Sequence, residues 1–179
     1  MSWDRESFRL LQQKEPEMVM TYTADEIYEI AEQIERNAAE FYLEAAERCT
    51  NEDIKKMLLD MSETENEHLR AFQNMREKLA EEAGLSIFDP FGRSAEYLQA
   101  MADARSWEGR KNPLEALSGE ETEKEIIEIA MESEKEMVVF YVGLKDLVYF
   151  KAGKDKVEEV IIEELRHISA LSKKLKSLG

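Results

Sequence analysis

Ile161-Ile162-Glu163-Glu164-Leu165-Arg166-His167-Ile168-Ser169-Ala170-Leu171 decides the fold, because it sets Glu164 and His167 three residues apart within a helical apolar pattern. Glu65 and His68 stand at the same spacing, and each lies 99 residues before its counterpart. The same shift carries Ala71 onto Ala170. Upstream it carries Glu29-Ile30-Ala31 onto Glu128-Ile129-Ala130, Glu35-Arg36 onto Glu134-Lys135, and Phe41-Tyr42 onto Phe140-Tyr141. The chain is therefore an internal duplication, expected to fold as two matched helical hairpins.

Each half supplies one lone Glu followed by Phe-Tyr, then one Glu-x-x-His. On a helix, positions i and i+3 share a face about 4.5 Å apart along the axis, so a carboxylate and an imidazole at that spacing can reach one metal ion. With 40 acidic residues in 179, a given His has roughly a one-in-five chance of an acid three places before it. Two such coincidences in one register are rarer still. Glu35, Glu65, His68, Glu134, Glu164 and His167 are thus the candidate metal ligands, the donor set of a di-metal carboxylate bundle. Their neighbours are apolar: Val160, Ile161, Ile168 and Leu171 surround Glu164, and Ala130, Met131, Met137, Val138 and Tyr141 surround Glu134. A carboxylate in such surroundings must be paired, protonated or metal-bound.

Four carboxylates balance two divalent ions, and two neutral imidazoles complete the shells. Oxygen and nitrogen donors without thiolate suit iron or manganese, and zinc can substitute. Tyr42 and Tyr141, two turns beyond Glu35 and Glu134, can each reach a carboxylate of the other hairpin. The adjacent Glu32, Glu63, Glu132 and Glu163 read as solvated, Cys49 as a buried small residue and the scattered methionines as core fillers.

Composition agrees with an all-α fold. Charged residues make up 36% and Gly plus Pro only ten positions, which favours long solvated helices over a sheet with many turns. A net charge of −16 with no segregated basic face argues against nucleic-acid or anionic-membrane partners. One cysteine leaves no intrachain disulfide and no Cys-x-x-Cys pair, which suits a reducing compartment. No apolar run has the length of a signal peptide or a membrane span, so the expected location is cytoplasmic.

Along the chain, residues 1–22 read as an N-terminal arm with Phe8, Leu10 and Leu11 before Pro16. The first helix is expected from a cap at Thr23 or Asp25 to Cys49, and the second over about 52–83, ended by Gly84. Residues 85–117 hold the turn signals and a short helical piece near 94–105. They form the long crossover that returns the chain along the bundle, so that helix three runs parallel to helix two. Helix three is expected from about Gly119 to Phe150, and helix four from about Asp155, after a loop Lys151–Lys154. The whole is expected to be one four-helix domain over 1–179.

These residues resemble the ferritin-like di-iron carboxylate superfamily and, within it, the rubrerythrin-like branch, over about residues 24–178. The resemblance implies two iron ions, with Glu65 and Glu164 bridging and Glu35 and Glu134 terminal. Two departures stand out. The rubredoxin domain with its Cys-x-x-Cys knuckles is missing, so electrons would come from a separate donor protein. Met137 stands where the branch carries an extra Glu associated with a ligand shift during peroxide reduction. The function implied is a di-iron oxidoreductase that oxidises reduced iron with peroxide or dioxygen. The alternatives are an iron-binding or ferroxidase module without a dedicated substrate, and a non-catalytic helical interaction scaffold. A homodimer is the default assembly for such bundles.

Overall fold

The computed structural model describes residues 24–81, 113–148 and 151–178. The N-terminal arm, the Thr23 cap, Gly84 and the helical piece near 94–105 lie outside the described residues. Four long helices make up the described structure: α1 (Ala24–Arg48), α2 (Glu52–Glu81), α3 (Glu123–Leu147) and α4 (Lys151–Leu178), with a 3₁₀ turn at Pro113–Ala116. No helix among the described residues is long and apolar enough to cross a membrane.

α1 packs along α2 and α3 along α4; lighter contacts join α1 to α3 and α2 to α4. Within the first hairpin the link is short: Asn51 accepts from the backbone N–H of Asp53 (3.0 Å) and Ile54 (3.2 Å), capping α2 three residues after α1 ends. Between the hairpins, Tyr42 meets Glu134 and Tyr141 meets Glu35. Rising numbers on α1 thus face falling numbers on α3, and these helices are antiparallel. Since α1 is also antiparallel to α2, α2 and α3 run parallel, as a long crossover requires.

The apolar core is in two blocks. Ile27, Ala31, Phe72, Met75, Phe140, Leu144, Val157 and Val160 belong to one. Ile54, Leu58, Met61, Phe41, Ile126, Ile127, Ala130 and Leu171 belong to the other. The 99-residue shift exchanges them: Ile27 maps onto Ile126, Ala31 onto Ala130, Phe41 onto Phe140, Leu58 onto Val157 and Phe72 onto Leu171. A duplication that swaps the ends of the bundle is a pseudo-two-fold axis crossing its middle. What lies in the middle is polar.

Three boundaries differ from those expected: α3 ends at Leu147, where Val148 turns extended as its C-cap, rather than near Phe150, and two helix starts are shifted. α3 begins at Glu123 rather than near Gly119, because Gly119 takes a left-handed φ of 98° and turns the chain first. Thr122 then forms a reciprocal capping box with Glu125. α4 begins at Lys151, so the expected loop Lys151–Lys154 is its first turn. Gly153 is buried there, and Lys151 pairs with Asp155 one turn on at 2.9 Å. A glycine within a helix costs about 1 kcal/mol relative to alanine but does not break it.

Thr122→Ala should destabilise the protein by about 1 kcal/mol through loss of the α3 cap. Leu58→Ala, at a fully buried position, should cost about 3 kcal/mol through the cavity it leaves. Urea unfolding of the two variants beside the wild type checks both values.

Candidate metal centre

The six predicted residues converge at mid-bundle, between the apolar blocks. Glu35, Glu65, Glu134 and Glu164 are fully buried, and His68 and His167 are 2% and 9% exposed. They fall into two overlapping groups, Glu35, Glu65, His68 and Glu164, and Glu65, Glu134, Glu164 and His167. Within each group one donor atom per residue lies within 4.8 Å of all the others. Glu65 and Glu164 belong to both.

Each helix delivers its share by simple periodicity. α1 and α3 each bring one Glu, and α2 and α4 each bring Glu and His one turn apart, so that Nδ1 of His68 lies 3.0 Å from Glu65 Oε2 and Nδ1 of His167 lies 3.1 Å from Glu164 Oε2. Across the hairpins, His68 Nδ1 lies 3.0 Å from Glu164 Oε1, and His167 Nδ1 lies 3.0 Å from Glu65 Oε1 and 3.2 Å from Glu134 Oε1. Both imidazoles therefore turn Nδ1 inward.

Tyr42 donates its phenol to Glu134 Oε1, and Tyr141 donates to Glu35 Oε1, each crossing to the other hairpin as expected. Burial, reinforced by the charge of Glu134 or Glu35, pushes both phenols well above their usual range, so they remain donors. Tyr141 is also stacked on Phe72, with ring centroids 5.2 Å apart.

One buried oxygen on each glutamate is left without a well-formed hydrogen bond: Glu35 Oε2 and Glu134 Oε2 have no donor, and Glu65 Oε1 and Glu164 Oε1 each have only an imidazole Nδ1 at 3.0 Å that they share with other carboxylates. Four buried acceptors aimed into one small space are costly to leave unmatched. A pair of divalent cations fits this donor set in charge and in ligand chemistry. Without them, protons hold the site together. Burial raises Glu35 and Glu134 well above the carboxylate range. Glu65, although burial opposes its charge, is held down to about 2 by hydrogen bonds from His167 and His68. The histidines respond in kind. Burial disfavours their charge, yet Glu164, Glu35 and Glu65 drive His68 far above the imidazole range, and Glu134, Glu164 and Glu65 push His167 up to about 12.

Two glutamates that read as solvated have inward partners instead, Glu32 buried and Glu163 half-exposed. Glu163 places Oε2 at 2.7 Å from Nε2 of His68, and Glu32 is 9% exposed and lies 3.5 Å from Arg76. Glu63 and Glu132 are exposed, as expected. Nothing in the i, i+3 pattern marks Glu163, since its partner is on another helix. The signal was its place one residue before a ligand candidate, which points it at the neighbouring helix of an antiparallel pair. Cys49 is buried, as are Met61, Met75 and Met137.

Fold and site together define a ferritin-like carboxylate–histidine bundle. The rubrerythrin family model matches residues 4–76, a span that contains Glu35, Glu65 and His68. A solved structure from Thermotoga maritima, provisionally described as a ferritin-like diiron-carboxylate protein, superposes with a TM-score of 0.65 at 22% identity, over 89% of this chain and 98% of that one. At that identity the likeness is one of fold. No curated protein matches. The chain is thus similar to rubrerythrins across its first hairpin and ferritin-like in its architecture.

Metal loading must displace the imidazolium protons of His68 and His167 and the carboxyl protons of Glu35 and Glu134. All four groups are raised in the metal-free protein, so affinity should fall as pH falls, about tenfold per pH unit for each proton released. Calorimetric titration with a divalent ion in buffers of different ionisation enthalpy should register several protons released per chain.

Proposed function

We propose that this protein is a di-iron oxidoreductase of the rubrerythrin-like type, in which reduced iron is oxidised by peroxide or dioxygen and re-reduced by a separate electron-donor protein. The observation that carries the reading is the pair of overlapping four-residue groups sharing Glu65 and Glu164. That sharing is what two neighbouring ions need from a bridging pair. Glu35 with His68 would hold one ion, Glu134 with His167 the other, and Glu65 and Glu164 both. Iron in such a site supplies redox chemistry toward peroxide or dioxygen.

The rest is done by the chain. Tyr42 and Tyr141 fix the orientation of the terminal carboxylates by donating to one oxygen of each, which leaves the other oxygen free to face the ion. The apolar blocks on both sides exclude bulk water, which strengthens each electrostatic contact inside. The carboxylates remain buried because they are neutralised, by protons or by metal, rather than solvated.

Anaerobic ferrous titration of metal-free protein should give two tight sites per chain. Glu65→Ala should abolish both, whereas Glu35→Ala should remove one and leave the bundle folded by circular dichroism. Steady peroxide consumption with a supplied reductant supports the oxidoreductase. A single burst of iron oxidation without turnover would assign the protein to the ferroxidase class, and no bound iron would leave the scaffold reading.

A further inference from the structure

The duplication places equivalent ligands around both metal positions but leaves the surroundings of the two histidines unequal. His68 is enclosed. Its Nδ1 faces Glu65 and Glu164, and its Nε2 lies 2.7 Å from Glu163 Oε2, which reaches in from a side chain that is 40% exposed. His167 presents the same Nδ1 face to Glu65, Glu134 and Glu164. No described residue meets its Nε2. The residue 99 positions before Glu163 is Thr64, whose hydroxyl is turned to the backbone oxygen of Asp60 at 3.1 Å. Both His167 and Thr64 line a cleft of about 400 Å³, whose rim includes Asp53, Asp60 and Arg166.

A carboxylate that accepts from the outer nitrogen of a metal-binding imidazole fixes its tautomer and ring orientation and makes the inner nitrogen a better donor. Loss of such a partner lowers metal affinity by about 10- to 100-fold. Only His68 has one. Resting on the di-metal reading above, we propose that the two metal positions are unequal: the one held by Glu35 and His68 is the tight, resident position, and the one held by Glu134 and His167 is the exchangeable position, loaded and emptied through the cleft beside Thr64. Glu163 is the positioning residue that sets the difference. It touches no ion and acts through His68.

Repulsion between two ions also produces stepwise binding, so the test isolates each position. Cobalt(II) affinity should be about 10- to 100-fold tighter in His167→Ala, which retains the His68 position, than in His68→Ala. Glu163→Thr, which copies the other hairpin, should remove that advantage in the His167→Ala background and leave His68→Ala unchanged. Thr64→Glu should tighten binding in His68→Ala. Cobalt-shifted NMR of the wild type should show one histidine N–H protected from exchange with water, and Glu163→Thr should abolish the protection. If either single-histidine variant fails to fold, chelator release from the two-cobalt protein replaces it. Two phases are expected, with Glu163→Thr accelerating only the slow one. Equal affinities, or an equal effect of Glu163→Thr on both positions or both phases, would overturn the inference. Failure of the wild type to bind cobalt at all would instead sink the di-metal reading.

Discussion

Four carboxylates buried in one cross-section of a helical bundle are the constraint on which this structure depends. Their mutual repulsion and their desolvation both oppose folding, and neither can be relieved by water at 0% exposure. The structure answers with two histidines placed among them and two tyrosines donating from opposite hairpins, so that every carboxylate has a charged or polar neighbour from another helix. The result is a polar layer whose oxygens are only partly satisfied by protein, with Glu35 Oε2 and Glu134 Oε2 left over and Glu65 Oε1 and Glu164 Oε1 each sharing an imidazole with other carboxylates. That remainder is what the proposed cations would satisfy.

The same layer organises the hydrophobic core. Because it crosses mid-bundle, the apolar residues divide into two blocks, one at each end, and the duplication exchanges them. A single hairpin could not bury its own Glu and His, since half of each block comes from the other copy. Two copies around a pseudo-two-fold axis close the layer from both sides, which accounts for the cross-hairpin reach of Tyr42 to Glu134 and Tyr141 to Glu35.

Duplication sets the starting symmetry, and single residues depart from it. Glu163 has Thr64 as its counterpart, and Glu32, buried near Arg76, has Met131, which cannot carry a charge. Such departures cost nothing in the shared ligand geometry, because they act on the outer edges of the groups that form it. They are where two otherwise equal halves can acquire different tasks.

By itself the sequence determined the helical class, the pairing of four helices in two hairpins and the six residues at the centre, because each of these is carried by local spacing: 3.6-residue apolar periodicity, the i, i+3 step from Glu to His, and a register shift that repeats both. The reach of the two tyrosines was also legible, since their distance from Glu35 and Glu134 is fixed along a rigid helix. Boundaries were less so. Gly153 reads as a turn but lies inside α4, and Gly119 reads as helix but turns the chain before the Thr122 cap, because backbone conformation at a glycine is set by what packs around it. That Glu65 and Glu164 are shared by both groups was implied by the family resemblance and not by spacing, and only the tertiary structure decided that Glu163 closes over His68 while His167 opens on a cleft. Each of these depends on how α2 and α4 lie against one another, and spacing along a single helix carries no record of that.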